Sequence, residues 1–138
     1  MTVVGFTGTR SGMSGAQRSR MQTLMRLLKV TELHHGQCVG ADEQAAIIAG
    51  QAGAHVVSHP PENTSLMSVV PADEVREPRA YLARNRDIVD ECEHLLVCPL
   101  GEETQRSGTW STVRYARRTG RSYIVIRRDG VVVQSRSL

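Results

Sequence analysis

Apolar and polar residues follow one another along this chain in short runs, and the period of the runs switches between strand-like and helix-like. Residues 3–7 are an apolar run closed by Gly8, which predicts a buried strand. Ser14 and Gln17 stand at capping-box spacing, where a serine oxygen accepts from an orphan backbone N–H at a helix start. Met21, Leu24, Met25 and Leu28 follow at helical spacing and predict one buried face. Residues 32–37, around Leu33, read as a second strand. Residues 41–52, rich in alanine with Ile47 and Ile48, read as a helix stopped near Gly53. Residues 55–58 read as a strand, ended by His59-Pro60-Pro61.

The pattern then lapses. Residues 60–78 carry four of the five prolines and only a short apolar stretch at 67–70. This reads as a long irregular connection, either poised over a functional site or disordered. Residues 79–91 read as a helix with Leu82, Ile88, Val89 and Cys92 on one face. Residues 94–98 (His-Leu-Leu-Val-Cys) give a strong buried strand, and 99–108 a loop. Residues 109–119 read as a helix with Trp110, Val113 and Ala116 inward, closed by Gly120. Residues 122–127 and 131–135 read as two strands joined at Arg128-Asp129-Gly130 in a hairpin. Strands alternating with helices predict an α/β fold: a mostly parallel sheet flanked by helices on both faces, with a C-terminal antiparallel hairpin. One domain over residues 1–138 is expected, without repeats or low-complexity segments.

Composition narrows this picture. Hydrophobic residues make up 40% of the chain and aromatics 4%, so the core is built from aliphatic side chains and methionine. The net charge of +3 is carried almost wholly by arginine, Lys29 being the one lysine. Arginine offers a planar fork that holds phosphate or carboxylate at two points. Cys38, Cys92 and Cys98 have no C-x-x-C spacing and are odd in number, which argues against a disulfide framework and for reduced core residues. The first residues lack the basic-then-apolar plan of a signal peptide, and no run approaches the roughly 20 apolar residues of a membrane span. A soluble cytoplasmic protein without membrane contact is expected. His34 and His35 have no acidic or histidine partner at ligand spacing, so no metal site is expected; no cofactor is expected either.

In a sheet of this type ligands bind outside the carboxyl ends of the strands, at the switch point. Four loops fall there. Thr7-Gly8-Thr9-Arg10 combines a close-approach glycine with two hydroxyls and a guanidinium, the donors a phosphate needs. From Gly36 to Gly40-Ala41-Asp42, glycines bring backbone N–H groups to a helix start, which favours an anion. Asp42 either caps its own helix or serves a ligand, accepting from a ribose hydroxyl or acting on the substrate. In Arg84-Asn85-Arg86-Asp87, Arg84 and Asp87 read either as a solvated ion pair or as part of a site. Asn85 falls on the side of Tyr81, Ile88 and Val89, and an inward polar residue needs a partner that a ligand would supply. Ser107-Gly108-Thr109-Trp110-Ser111-Thr112 is a further anion seat at a helix start, although Ser111 and Thr112 also suit capping or back-bonding. Trp110 suits core packing or stacking on a base.

Taken together, Thr7-Gly8-Thr9-Arg10, the Gly36 to Asp42 turn, Arg84-Asn85 and Gly108-Thr109 resemble the SLOG superfamily over residues 3–127. That superfamily includes cytokinin-activating phosphoribohydrolases and the DNA-processing protein DprA. The resemblance implies a Rossmann-like fold that binds nucleotides or nucleotide-derived signals. The family's hydrolases carry Gly-Gly-x-Gly-Thr-x-x-Glu and an upstream Arg-Lys pair. Here Gly108-Thr109 matches the Gly-Thr, Arg106 and Ser107 stand in the leading part, and Thr112 stands where the catalytic glutamate would be. Arg84-Asn85 falls on the Arg-Lys pair, with asparagine for lysine. Cleaving an N-glycosidic bond passes through a cationic sugar that a carboxylate stabilises, and threonine supplies no charge. Asp42 and Asp87 are the substitutes proposed for the catalytic role, with Glu43, Asp73 and Glu74 as further carboxylates.

The leading expectation is thus a protein that binds a nucleotide or ADP-ribose-like molecule, as sensor, carrier or sequestering protein. The alternatives are an N-glycosidic hydrolase of nucleotides and a single-stranded nucleic-acid binder. The scarcity of aromatics makes a poor stacking platform for single strands. A homodimer is expected from the resemblance and from the open edge of the terminal hairpin.

Overall fold

The computed structural model describes residues 1–135; the last three residues of the expected 1–138 domain lie outside the described residues. The elements are β1 (Thr2–Gly8), α1 (Gly15–Leu27), β2 (Val30–His35), α2 (Ala41–Gln51), β3 (His55–Ser58), β4 (Glu74–Val75), α3 (Tyr81–Asp90), β5 (His94–Cys98), α4 (Gly108–Arg118), β6 (Ser122–Ile126) and β7 (Val132–Gln134). They build one seven-stranded sheet in the order β4-β3-β2-β1-β5-β6-β7. Every neighbouring pair is parallel except β6 with β7. The chain therefore steps outward from β1 to β4, then returns through α3 to the other side of β1. The switch point lies between β1 and β5.

Alternation along the strands divides the core into two layers. Leu96 and Cys98 of β5 join Val4 and Phe6 of β1 under α1 and α2, where Met21, Leu24, Met25, Ala45 and Ile48 meet them. Leu95 and Val97 face the other way, against Ile88 and Val89 of α3 and Val113 and Ala116 of α4. The α/β fold with a parallel sheet and an antiparallel terminal hairpin is the one that the periodicity predicts.

Two expectations need correction. The connection at 60–78 contains β4, whose Glu74 and Val75 pair with Val57 and Ser58; a strand of two residues is too short to leave a periodic signal. Leu82, expected inward, is 61% exposed, because α3 turns Arg84 rather than Leu82 into the protein. No helix among the described residues is long and apolar enough to cross a membrane.

Gln17 fastens α1 to the carboxyl ends of the central strands. Ser14 and Gln17 form the expected capping box. The fully buried Gln17 side chain also donates through Nε2 to Pro99 O (3.0 Å) and Ile126 O (2.9 Å), and accepts from Arg128 Nη1 (3.2 Å). Gln17→Leu would strand two buried carbonyls. We expect a loss of about 2 kcal/mol in urea unfolding, and Gln17→Glu, which also lacks the amide donor, should not recover it.

Candidate functional site

A cleft of about 970 Å³ opens over the switch point. Its walls are the loop leaving β1 (Thr7 to Ser11), the turn leaving β2 (Gly36 and Cys38), the segment from β5 into α4, and Tyr81, Arg84 and Asn85 of α3. The size falls in the range of small-molecule sites.

Its floor is polar and buried. Arg84 is only 4% exposed. Its Nη1 donates to Gly36 O and to His59 O (2.9 Å), and its Nε donates to Asn85 Oδ1 (2.7 Å). The guanidinium lies 5.1 Å from the centre of the Tyr81 ring. Asp42 is buried beside it, and its Oδ2 accepts from the Cys38 N–H (3.2 Å). Burial pushes the Asp42 carboxyl up to about 6, against the opposing pull of the Arg84 charge and the Cys38 and Gly36 N–H groups. Burial likewise raises the Cys38 thiol above its ordinary value, and the Asp42 charge adds to that. Gly36 is where this cluster closes: a Cβ there would stand 2.7 Å from Arg84 Nη1 and 3.0 Å from Asp42 Oδ2. Of the two readings of Asp42, the helix cap is excluded, since Gly40 is the N-cap of α2 and the carboxylate turns back to the preceding loop.

The rim carries two arginines and one carboxylate, Glu102. Arg10 and Arg106 are exposed and line the cleft, and neither joins an ion pair among the described residues. Gly108, Thr109, Trp110 and Ser111 at the start of α4 also line it. The Ser107 hydroxyl caps that helix, accepting from the Trp110 N–H (3.2 Å). Trp110 packs against the Val113 layer and donates from Nε1 to Gly101 O (3.2 Å), so one ring serves both core and cleft. Thr112 is buried and donates to Gly108 O (3.0 Å), the back-bonding arrangement, with no charge to offer.

The remaining expected residues lie elsewhere. Gly40 and Ala41 stand beneath the first loop: the Ala41 N–H donates to Thr9 O (3.0 Å), so it supports the loop from behind. Asp87 is absent from the lining and accepts twice from Arg79 Nη1, at 2.7 and 2.6 Å. Asp73 accepts from the Val56 N–H (2.8 Å), and Glu74 pairs with Arg76. The inward polar residue of α3 is Arg84, with Asn85 half-buried as its acceptor. Sequence reasoning missed Asn63, Ser65 and Leu66 of the long connection, which form one wall. Bonds from Val39 N to Leu66 O and from Ser68 N to Gln37 O (both 2.9 Å) bring that segment over the cleft. Its unusual length was the one signal of this.

No protein-family model and no curated protein matches the sequence. Solved structures do match the fold. The molybdenum cofactor binding protein from the phototrophic bacterium Rippkaea orientalis aligns at 22% identity with a TM-score of 0.71, over 91% of this chain and 76% of that one. DNA processing protein A (DprA) from Streptococcus pneumoniae aligns at 21% identity with a TM-score of 0.69, over 91% of this chain and 50% of that one. The Moco carrier protein from Chlamydomonas reinhardtii aligns at 18% identity with a TM-score of 0.65, over 90% and 75%. The shared architecture is the Rossmann-like fold that the SLOG resemblance implies.

Proposed function

We propose that the cleft binds a phosphate-bearing, nucleotide-like small molecule, such as a nucleoside phosphate or an ADP-ribose-like compound, and that the protein acts as its sensor, carrier or sequestering protein. The observation that carries this reading is the convergence of the Thr7-Gly8-Thr9-Arg10 loop, the Gly36 turn and the Gly108 helix start on one cleft at the switch point. Arg10 and Arg106 offer guanidiniums to phosphate oxygens, and Asn85 and Asp42 stand at the floor for hydroxyls or a ring. A solved relative in fold that carries the molybdenum cofactor supports a binding role for such a cleft. Native mass spectrometry of the purified protein should find a co-purified phosphorylated compound, and calorimetry with nucleoside phosphates and ADP-ribose should find saturable binding. Arg10→Ala should weaken that binding about tenfold, the loss of one exposed charge-assisted contact, with unchanged melting temperature. Wild-type protein that takes none of these compounds would sink the reading. The homodimer belongs to the same proposal and is read by sedimentation.

A second reading, N-glycosidic hydrolysis, draws on Asp42. A carboxyl raised to about 6 inside a cleft is suited to proton transfer near neutral pH. Asp42 is preferred to Asp87 for this role, since Asp42 alone of the two lines the cleft. Release of free base from nucleoside monophosphates or NAD, lost in Asp42→Asn, would establish it. A third reading, single-stranded nucleic acid, is favoured by the likeness to DprA and by Arg10 and Arg106 on the rim. Binding to an oligonucleotide that falls steeply with salt would mark it.

A further inference from the structure

We propose that His34, His59 and Glu91 form a binding site for a divalent transition-metal cation of the zinc type, at the carboxyl end of α3 and separate from the cleft. One ligand atom from each lies within 4.8 Å of the other two. Nothing in the sequence spacing announces this: His34 sits on β2, His59 just past β3 and Glu91 at the C-cap of α3. The parallel register of β2 and β3 brings the two histidines side by side, with ring centres 5.0 Å apart.

Several features fit a metal. His34 Nε2 is 2.7 Å from Glu32 Oε2, so Glu32 holds the proton on that nitrogen. Its Nδ1 and His59 Nε2 lie 2.8 Å apart and share one hydrogen-bond proton, which a bound cation would displace. A carboxylate that orients a histidine in this way is the usual outer support of a metal ligand. Both imidazoles are buried, whereas Glu91 is exposed, so an ion would enter from the Glu91 side and keep an open position to water there. Glu32, Glu74 and Glu91 surround the Arg76 guanidinium, while Arg84 acts on His59 from the other side, so three carboxylates face two guanidiniums around the imidazoles. Arg76 Nη2 holds Glu91 Oε1 (2.6 Å), so a cation would share the carboxylate with that guanidinium. The two ring nitrogens would have to part to about 3.3 Å, the edge of a tetrahedron with bonds of about 2.0–2.1 Å. The His59 backbone is held by His35 O and by Arg84, so the parting falls to rotation of the His59 ring.

The chemistry of two nitrogens and one carboxylate oxygen selects zinc, cobalt or nickel over magnesium and calcium. The test uses the full chain, metal-stripped and free of any histidine tag, titrated with zinc chloride against a chromophoric chelator. One equivalent should bind at micromolar concentration or tighter and raise the melting temperature. Cobalt should give visible absorption of tetrahedral intensity without a thiolate charge-transfer band. Glu91→Ala should weaken zinc at least tenfold and Glu32→Gln about tenfold, and His59→Asn should abolish binding. Glu91 is exposed, so its variant keeps the wild-type melting temperature in chelator and decides the matter even if His59→Asn fails to fold. Zinc binding that is absent, that is indifferent to Glu91→Ala, or that disappears in Cys38→Ser would overturn the proposal.

Discussion

Arg84→Met should destabilise the protein by about 3–5 kcal/mol at pH 7.5, the range for removing one member of a buried charged cluster. Methionine fills much of the same volume but withdraws the donors to Gly36 O and His59 O. It also removes the positive charge that favours ionised Asp42. That carboxyl already titrates near 6 in the folded protein against an ordinary value of 3.8. Between those values the unfolded chain has released the proton and the folded chain has kept it. The protonated Asp42 therefore contributes stability that is fully present below about 3.8 and is lost as pH rises through about 6. Without Arg84 the folded carboxyl rises further, so the loss caused by the substitution should be larger at pH 7.5 than at pH 4. At pH 4 only the stranded acceptors remain, the Gly36 and His59 carbonyls and Asn85 Oδ1. Urea unfolding at both pH values measures this, and adding Asp42→Asn to Arg84→Met should restore part of the stability at pH 7.5. An equal loss at both pH values would show that Asp42 and Arg84 are not coupled.

Arg84 also marks where sequence reasoning reached its limit. The helical spacing of Ile88 and Val89 identifies the inward face of α3, and both residues are buried there. The same spacing favours Asn85 over its neighbour, because a short amide is easier to place inward than a guanidinium. The acceptors that make Arg84 tolerable come from Gly36 and His59, far away in the chain, and only the folded sheet brings them to it. For the same reason Arg84 and Asp87, which look like a local pair in the sequence, have separate partners: Asp87 holds Arg79.

The first loop and the start of α4 were legible as parts of the cleft because they obey local rules. A buried run ending in Thr-Gly-Thr-Arg, and a Ser-Gly-Thr break at a helix start, each carry their meaning within six residues. The sheet edge that unites them follows from strand order, which strand and helix alternation predicts. The wall from Asn63 to Leu66 and the His34–His59 contact were not legible. Each depends on the register between strands and on the path of a connection without periodicity, and neither leaves a trace in residue spacing.

Gly40→Ala should cost about 4 kcal/mol, combining strain at a backbone conformation that L side chains avoid with a clash in a packed site. Gly40 has φ 89° and ψ −126° as the N-cap of α2. A Cβ at this position would stand 2.8 Å from Arg10 Cα and closer still to its carbonyl group. Those atoms are backbone, so no side-chain rotation can relieve the contact. The loop of Thr9 and Arg10 would have to lift away from α2, which would break the bond from Ala41 N to Thr9 O. That loop is one wall of the cleft, so stability and ligand binding should fall together in this variant. Gly108→Ala separates the two effects: a Cβ on Gly108 meets nothing within 4 Å, although Gly108 lines the same cleft. Its unfolding should match the wild type, while a ligand seated against the start of α4 should bind more weakly. If Gly40→Ala unfolds like the wild type, the first loop does not rest on α2 in the way the geometry requires. If Gly108→Ala leaves nucleotide affinity untouched, the phosphate does not sit at that helix start.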